Sequence, residues 1–204
     1  MNNSPPQGPG QSQNGRPLSL DPRNLRGLAH PLRVRIRAAL VDHGPATATQ
    51  LATRLGLSSG ATSYHLRQLA RYGFVGEDPD RGHGRERYWH VTHLTVQYDP
   101  GTGTGDPDLA GIYLRAVAQL YADRMIRFVD EVGDDPAVLG ADWVDAWTIS
   151  SWSLSLTAKE AHALVDHLAD LFKRRAEHSG LATPGARQVT VQLQLLPARP
   201  DADA

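Results

Sequence analysis

Residues 47–75 read TATQLATRLGLSSGATSYHLRQLARYGFV, and this stretch decides the fold. Leu51, Ala52 and Leu55 recur at helical spacing, and Gly56 stands where that helix would end. Leu57 plugs the turn, and Ser58 is placed to cap a second helix. On that helix Thr62, Leu66 and Leu69 fall on one face at i, i+4 and i+7. The other face offers Ser59, Gly60, Ser63, Tyr64, Arg67, Gln68 and Arg71. Two short amphipathic helices joined by a tight turn are a helix-turn-helix, whose second helix fits the major groove of DNA.

Apolar spacing alone would allow any helical hairpin, and the residues that follow add independent support. Phe74–Asp78 reads as a short strand and Arg85–Val91 as its antiparallel partner. Between them lies a glycine-rich turn, Pro79-Asp80-Arg81-Gly82-His83-Gly84. A β-hairpin directly after a recognition helix is a wing. Arg81 and Arg85 at its tip could reach an adjacent minor groove or phosphates.

Together these residues resemble a known family. Leu28-Ala29-His30-Pro31-Leu32-Arg33-Val34-Arg35-Ile36 is similar to the first-helix signature of ArsR-type winged-helix transcriptional regulators. Leu57-Ser58, Ser63-Tyr64-His65-Leu66, Leu69 and Gly73-Phe74-Val75 resemble that family's recognition helix and the start of its wing. The resemblance covers roughly residues 20–93, and it implies that Ser59, Gly60, Ser63, Tyr64 and Arg67 face DNA. It also implies that His65 packs beside Leu66 instead of reading a base.

Charge supports the same direction. Residues 1–93 hold 12 Arg and no Lys against 6 acids, whereas residues 94–204 hold 9 Lys plus Arg against 16 acids. A front half near +6 and a back half near −7 suit a protein that presents one half to phosphates. The whole chain, at −1, hides this split.

The remaining composition narrows the class. With 40% hydrophobic residues in 204, the chain can bury a core as one domain or two small ones. No apolar run approaches the roughly 20 residues that span a bilayer, and no secretory signal is visible, so a cytoplasmic protein without a membrane partner is expected. There is no cysteine, which excludes disulfides and thiolate metal sites.

Along the chain, residues 1–17 read as a disordered tail and 18–95 as the winged helix-turn-helix domain. Residues 96–105 read as a linker, 106–197 as a C-terminal region for dimerisation and a candidate effector, and 198–204 as a loose tail. In the N-terminal domain, helical pattern begins near Asp21. Pro31 is placed in the first turn of a helix that ends near His43-Gly44. Further on, Asp106 can cap a long helix with Pro107 at its first position. That helix carries a wide apolar stripe from Leu109 to Val132, wide enough for its own domain on one side and a second subunit on the other. Trp152, Leu154 and Leu156 then alternate with serines as a strand, and Thr157–Glu160 forms a capping box for a helix that ends around Gly180. Val189, Val191, Leu193 and Leu195 alternate as a second strand.

Other chemistry finds little purchase. Tyr113, Tyr121, Trp147 and Trp152 are a candidate effector pocket, weighed against a plain aromatic core. His162 and Asp166, one helical turn apart, are a pairing that exposed helices often show, and no metal ligand set or cofactor is expected. Nucleophile-elbow, P-loop and zincin motifs are all missing from the sequence, so no enzyme is expected. The expected fold is α+β, a winged helix-turn-helix followed by a helix-rich α+β region. The expected partners are double-stranded DNA, a second copy of the chain and a small-molecule effector. The competing readings are a protein-interaction module and a nonspecific architectural DNA binder.

Overall fold

The computed structural model describes residues 18–79, 81, 86–100, 106–177 and 184–198. The expected tail at 1–17, Arg85 at the wing tip, the glycine run 101–105 and residues 199–204 lie outside them. The chain divides into two compact units, 1–125 and 126–204.

The first unit opens with β1 (Leu18–Ser19), α1 (Pro22–Leu28) and α2 (Pro31–His43). Asp21 and Asn24 cap α1 reciprocally, each side chain accepting from the other's backbone N–H at 2.8 and 2.7 Å. His30 caps α2: the Leu32 N–H donates to its Nδ1 at 3.1 Å, and Pro31 supplies a first residue that needs no N–H partner. Gly44, at φ 76°, ends α2 where the sequence places its end.

The helix-turn-helix follows. β2 (Ala46–Thr47) leads into α3 (Ala48–Leu55), and α4 spans Ser59–Arg71. Thr47 and Gln50 form a capping box at 2.9 and 3.2 Å. Gly56 adopts the left-handed conformation, φ 66° and ψ 39°, so the chain reverses without a Cβ clash. Ser58 then caps α4, its Oγ accepting from the Ala61 N–H at 3.2 Å.

The wing is β3 (Val75–Asp78) against β4 (Tyr88–Val91), antiparallel, with Val75 opposite Val91 and Asp78 opposite Tyr88. Two short ladders were not foreseen in the sequence. β2 adds to the wing through Ala46–Trp89 and Thr47–Tyr88, giving the order β2-β4-β3. A parallel bridge joins β1 to β5 (Val96–Gln97) inside the segment expected to be a linker.

The core gathers Leu25 and Leu28 of α1, Val34, Ile36 and Leu40 of α2, Leu51 of α3, and Thr62, Leu66 and Leu69 of α4 under Phe74 and Trp89. Burying each large aliphatic side chain contributes roughly 1.5–3 kcal/mol before chain entropy is counted. α5 (Pro107–Asp134) begins as the sequence predicts, Asp106 Oδ1 accepting from the N–H groups of Asp108 and Leu109 at 3.1 and 3.3 Å. Its residues Ala110, Tyr113 and Ala116 are buried in the winged-helix core. The start of this helix therefore packs with the N-terminal residues, and the division between units falls within α5. Arg124 on α5 closes the contact with a hydrogen bond to Asp42 Oδ1 of α2 at 2.6 Å.

The second unit contains the end of α5, two 3₁₀ turns (Pro136–Leu139 and Ala141–Trp143) and α6 (Ala158–Glu177). Thr157 and Glu160 cap α6 as a box, at 2.8 and 3.3 Å. Phe128 meets Trp147 edge to face at 5.2 Å, and Arg187 lies 5.3 Å over Trp143 while donating to the Leu139 carbonyl at 2.7 Å. The two strand-patterned segments flanking α6 join no ladder among the described residues. The α+β class holds, with the C-terminal part helical and its expected strands unpaired. No described helix is long and apolar enough to cross a membrane.

Candidate nucleic-acid interface

Amphipathicity splits α4 into two working faces. Thr62, Leu66 and Leu69 are fully buried, and the Thr62 hydroxyl is satisfied by the Ser58 carbonyl at 3.0 Å. Ser59, Gly60, Tyr64, Arg67 and Arg71 are exposed, with Ser63 and Gln68 half-buried beside them. All seven thus belong to the solvent side of one helix. Arg67 and Arg71 are cations on a helix that carries no acid. Gly60 is open, with no heavy atom within 4 Å of where a Cβ would stand, so backbone can approach a phosphate there. Tyr64 is 54% exposed despite its ring, an aromatic held outward with its hydroxyl available.

Within residues 28–76 there are six arginines and a single acid, Asp42, which the ion pair with Arg124 occupies. One of those arginines was not recognised as part of the site in the sequence. Arg33 of α2 lies near Tyr64 and Tyr72, its Nε buried without a partner among the described residues, and burial lowers its pKa. Only the fold of α2 across α4 brings it there, and no spacing rule announces it.

His65 is buried, as the resemblance implies, and its ring lies tilted against His30 with centroids 4.6 Å apart. Burial lowers the pKa of both imidazoles, and Arg33 lowers each further. His65 therefore belongs to the helix packing and not to the outer face.

The wing carries less available charge than its sequence suggests. Arg81 pairs with Asp78 at 3.2 Å, and Arg87 with Glu77 at 2.8 Å. Arg87 is a further wing cation, one that the sequence pattern does not single out. It sits just before β4, which pairs with β3, the strand that carries Glu77. Arg85 lies outside the described residues.

The four candidate effector residues have different roles. Tyr113 is buried in the first unit, its phenol pushed up to about 12 by burial, with Tyr98 6.0 Å away. Tyr121 is half-buried near Arg37. Arg37 is itself lowered to about 10 by burial and donates to the carbonyls of His93 and Leu94 at 2.6 and 2.9 Å. Trp147 and Trp152 belong to the second unit, Trp147 against Phe128 and Trp152 largely exposed. Tyr113 is thus consumed by core packing. A surface groove of about 250 Å³ between Pro31 and Arg35 of α2 and Ile112, Ala116 and Leu120 of α5 includes none of the four. No cluster of three metal-ligating side chains occurs among the described residues.

Comparison with known proteins follows the same boundaries. Residues 28–76 match a family model described as a helix-turn-helix domain. That stretch is similar to such domains. It runs from the end of α1 through α4 into β3, covering the caps, the Gly56 reversal and the exposed arginines. Among solved structures, the chain is similar to a homodimeric winged helix-turn-helix DNA-binding domain from Mycobacterium bovis, a possible ArsR-family regulator. The identity is 24% over 50% of this chain and 76% of that one, with a TM-score of 0.31. It is also similar to a possible transcriptional regulator for arsenical resistance, at 27% identity over 53% of this chain and 95% of that one, with a TM-score of 0.30. No curated protein matches the chain.

Proposed function

We propose that this chain is a sequence-specific DNA-binding transcriptional regulator that acts as a homodimer on an inverted-repeat operator. The observation that carries the reading is the outer face of α4. A capped helix follows a left-handed glycine turn inside a matched helix-turn-helix domain and presents Ser59, Ser63, Tyr64, Arg67 and Arg71 with no acid among them. Arg67 reads a base edge bidentately, and Ser59, Gly60 and Arg71 take phosphates. Two copies place their recognition helices about 34 Å apart on one face of the duplex. The C-terminal region holds the dimer and is where an effector would act, through different affinity for DNA-competent and incompetent arrangements. Repression is the proposed outcome, and the protein works in the cytoplasm without catalysis.

Purified protein incubated with sheared genomic DNA near physiological salt, followed by sequencing of what is retained, tests the reading. A few sites sharing an inverted repeat are expected, each losing about 1–3 kcal/mol of binding in Arg67→Ala. Even recovery across the genome would turn the reading to an architectural binder. No recovery would turn it to a protein-interaction module.

A further inference from the structure

Two segments of the second unit are patterned as strands in sequence but have no strand beside them. Ser151–Leu156 and Val189–Leu195 alternate apolar and polar residues with a period of two. Neither belongs to a helix or sheet. Among the described residues, no backbone N–H or carbonyl of either segment is hydrogen-bonded. Their apolar side chains are uncovered: Trp152 is 79% exposed, Leu154 63% and Val191 61%.

We infer that a second copy of this chain supplies the missing strands, so that the four segments of two copies form one intermolecular β-sheet. Three observations favour a second copy over another occupant. The first is area. Trp152, Leu154, Leu156, Val189, Val191, Leu193 and Leu195 together leave on the order of 800 Å² of side chain uncovered, which is what one partner of a standard stable interface contributes. The second is charge. From Ala146 to Ala158, and from Gln188 to Ala198, there is no charged residue, in a chain that is 21% charged. Natural free edges are protected by lysines, inward charges or proline inside the strand, and neither segment has any of these. Nothing in them selects a charged partner either. The third is self-complementarity. Each chain brings both open edges and apolar faces, and strands that meet across a twofold axis perpendicular to them run antiparallel, so each copy offers the other the same edge that it needs.

The inference rests on the homodimer proposed above and adds which residues form it. It is tested on the full chain without DNA. Backbone amides of 151–156 and 189–195 are expected to resist hydrogen exchange at concentrations where the protein sediments as a dimer. They should lose that protection on dilution to the monomer. Because the chain has no cysteine, any disulfide formed by a single-cysteine variant must join two copies. Ser151→Cys, Ser153→Cys, Ser155→Cys, Thr190→Cys, Gln192→Cys and Gln194→Cys place thiols on the polar faces, and at least one is expected to give predominantly cross-linked dimer on mild oxidation. A dimer with both segments freely exchanging would overturn the inference and leave the homodimer standing. Protection of both segments in a monomer would show that they pair within one chain and overturn it as well. A monomer at every concentration, with neither segment protected, would overturn the inference and the homodimer together.

Discussion

His30 and His65 pack ring against ring, with centroids 4.6 Å apart and planes tilted by 47°, tying the cap of α2 to the middle of α4. The contact has a chemical condition. His30 Nδ1 can accept from the Leu32 N–H only while it is unprotonated. Burial first, then Arg33, keep His30 below its ordinary value; for His65 the order is burial, His30 and Arg33. The unfolded chain binds these protons near 6.5, more readily than the folded chain does. Stability is therefore full above that value, declines as the pH falls through it, and levels off beneath the folded values.

A lower unfolding temperature at about pH 5.5 than at about pH 7.5 is the expected result. His30→Asn keeps a capping acceptor and removes one titrating ring, so it should narrow that difference. An unchanged difference would assign the pH response to other histidines.

Leu66 and Thr47 support the helix-turn-helix in different ways and should fail by different amounts. Leu66 is fully buried, and Leu66→Ala should cost about 2–5 kcal/mol in denaturant unfolding of the first unit. Thr47→Ala removes only one half of a capping box and should cost about 1 kcal/mol. Equal losses would mean that Thr47 acts through something other than its cap.

Gly27 marks a close approach between α1 and the end of α4. A Cβ there would stand 2.6 Å from Tyr72 Cβ and from an edge carbon of Phe74. Since Phe74 is fully buried and cannot retreat, Gly27→Ala should destabilise by about 1–3 kcal/mol in spite of alanine's better helix propensity. A stabilised variant in thermal unfolding would show that α1 can shift away.

At the wing, Glu77 holds Arg87 at 2.8 Å. Glu77→Gln should free that guanidinium for a phosphate and steepen the salt dependence of DNA binding by about 0.9 in log–log slope. An identical slope would place Arg87 away from the duplex.

Legibility in the sequence followed the range of the interactions. Gly56, Ser58, Asp106 and the Thr157–Glu160 box act within a turn or two of chain, and each ends or starts a helix where the residues alone placed it. The outer face of α4 was readable for the same reason, since a buried Leu66 fixes where Arg67 points. The two-residue ladders of β1, β2 and β5 are too short to show a period. The burial of Tyr113 under the winged helix and the approach of Arg33 to Tyr64 depend on contacts between distant segments. The strand pattern at 151–156 was plain in the residues. What a strand pairs with is not written in its own alternation.

Asp42 is the one negative side chain between residues 28 and 76, and Arg124 holds it in an ion pair only partly open to water. The rest of that module thus carries charge of a single sign. Were the chain the regulator proposed above, this would shape its search for a site as well as its binding there. Such a module would be held loosely by any duplex and would travel along it by sliding and short hops. Its search time would then depend on intracellular salt and on how much unrelated DNA lies beside the operator.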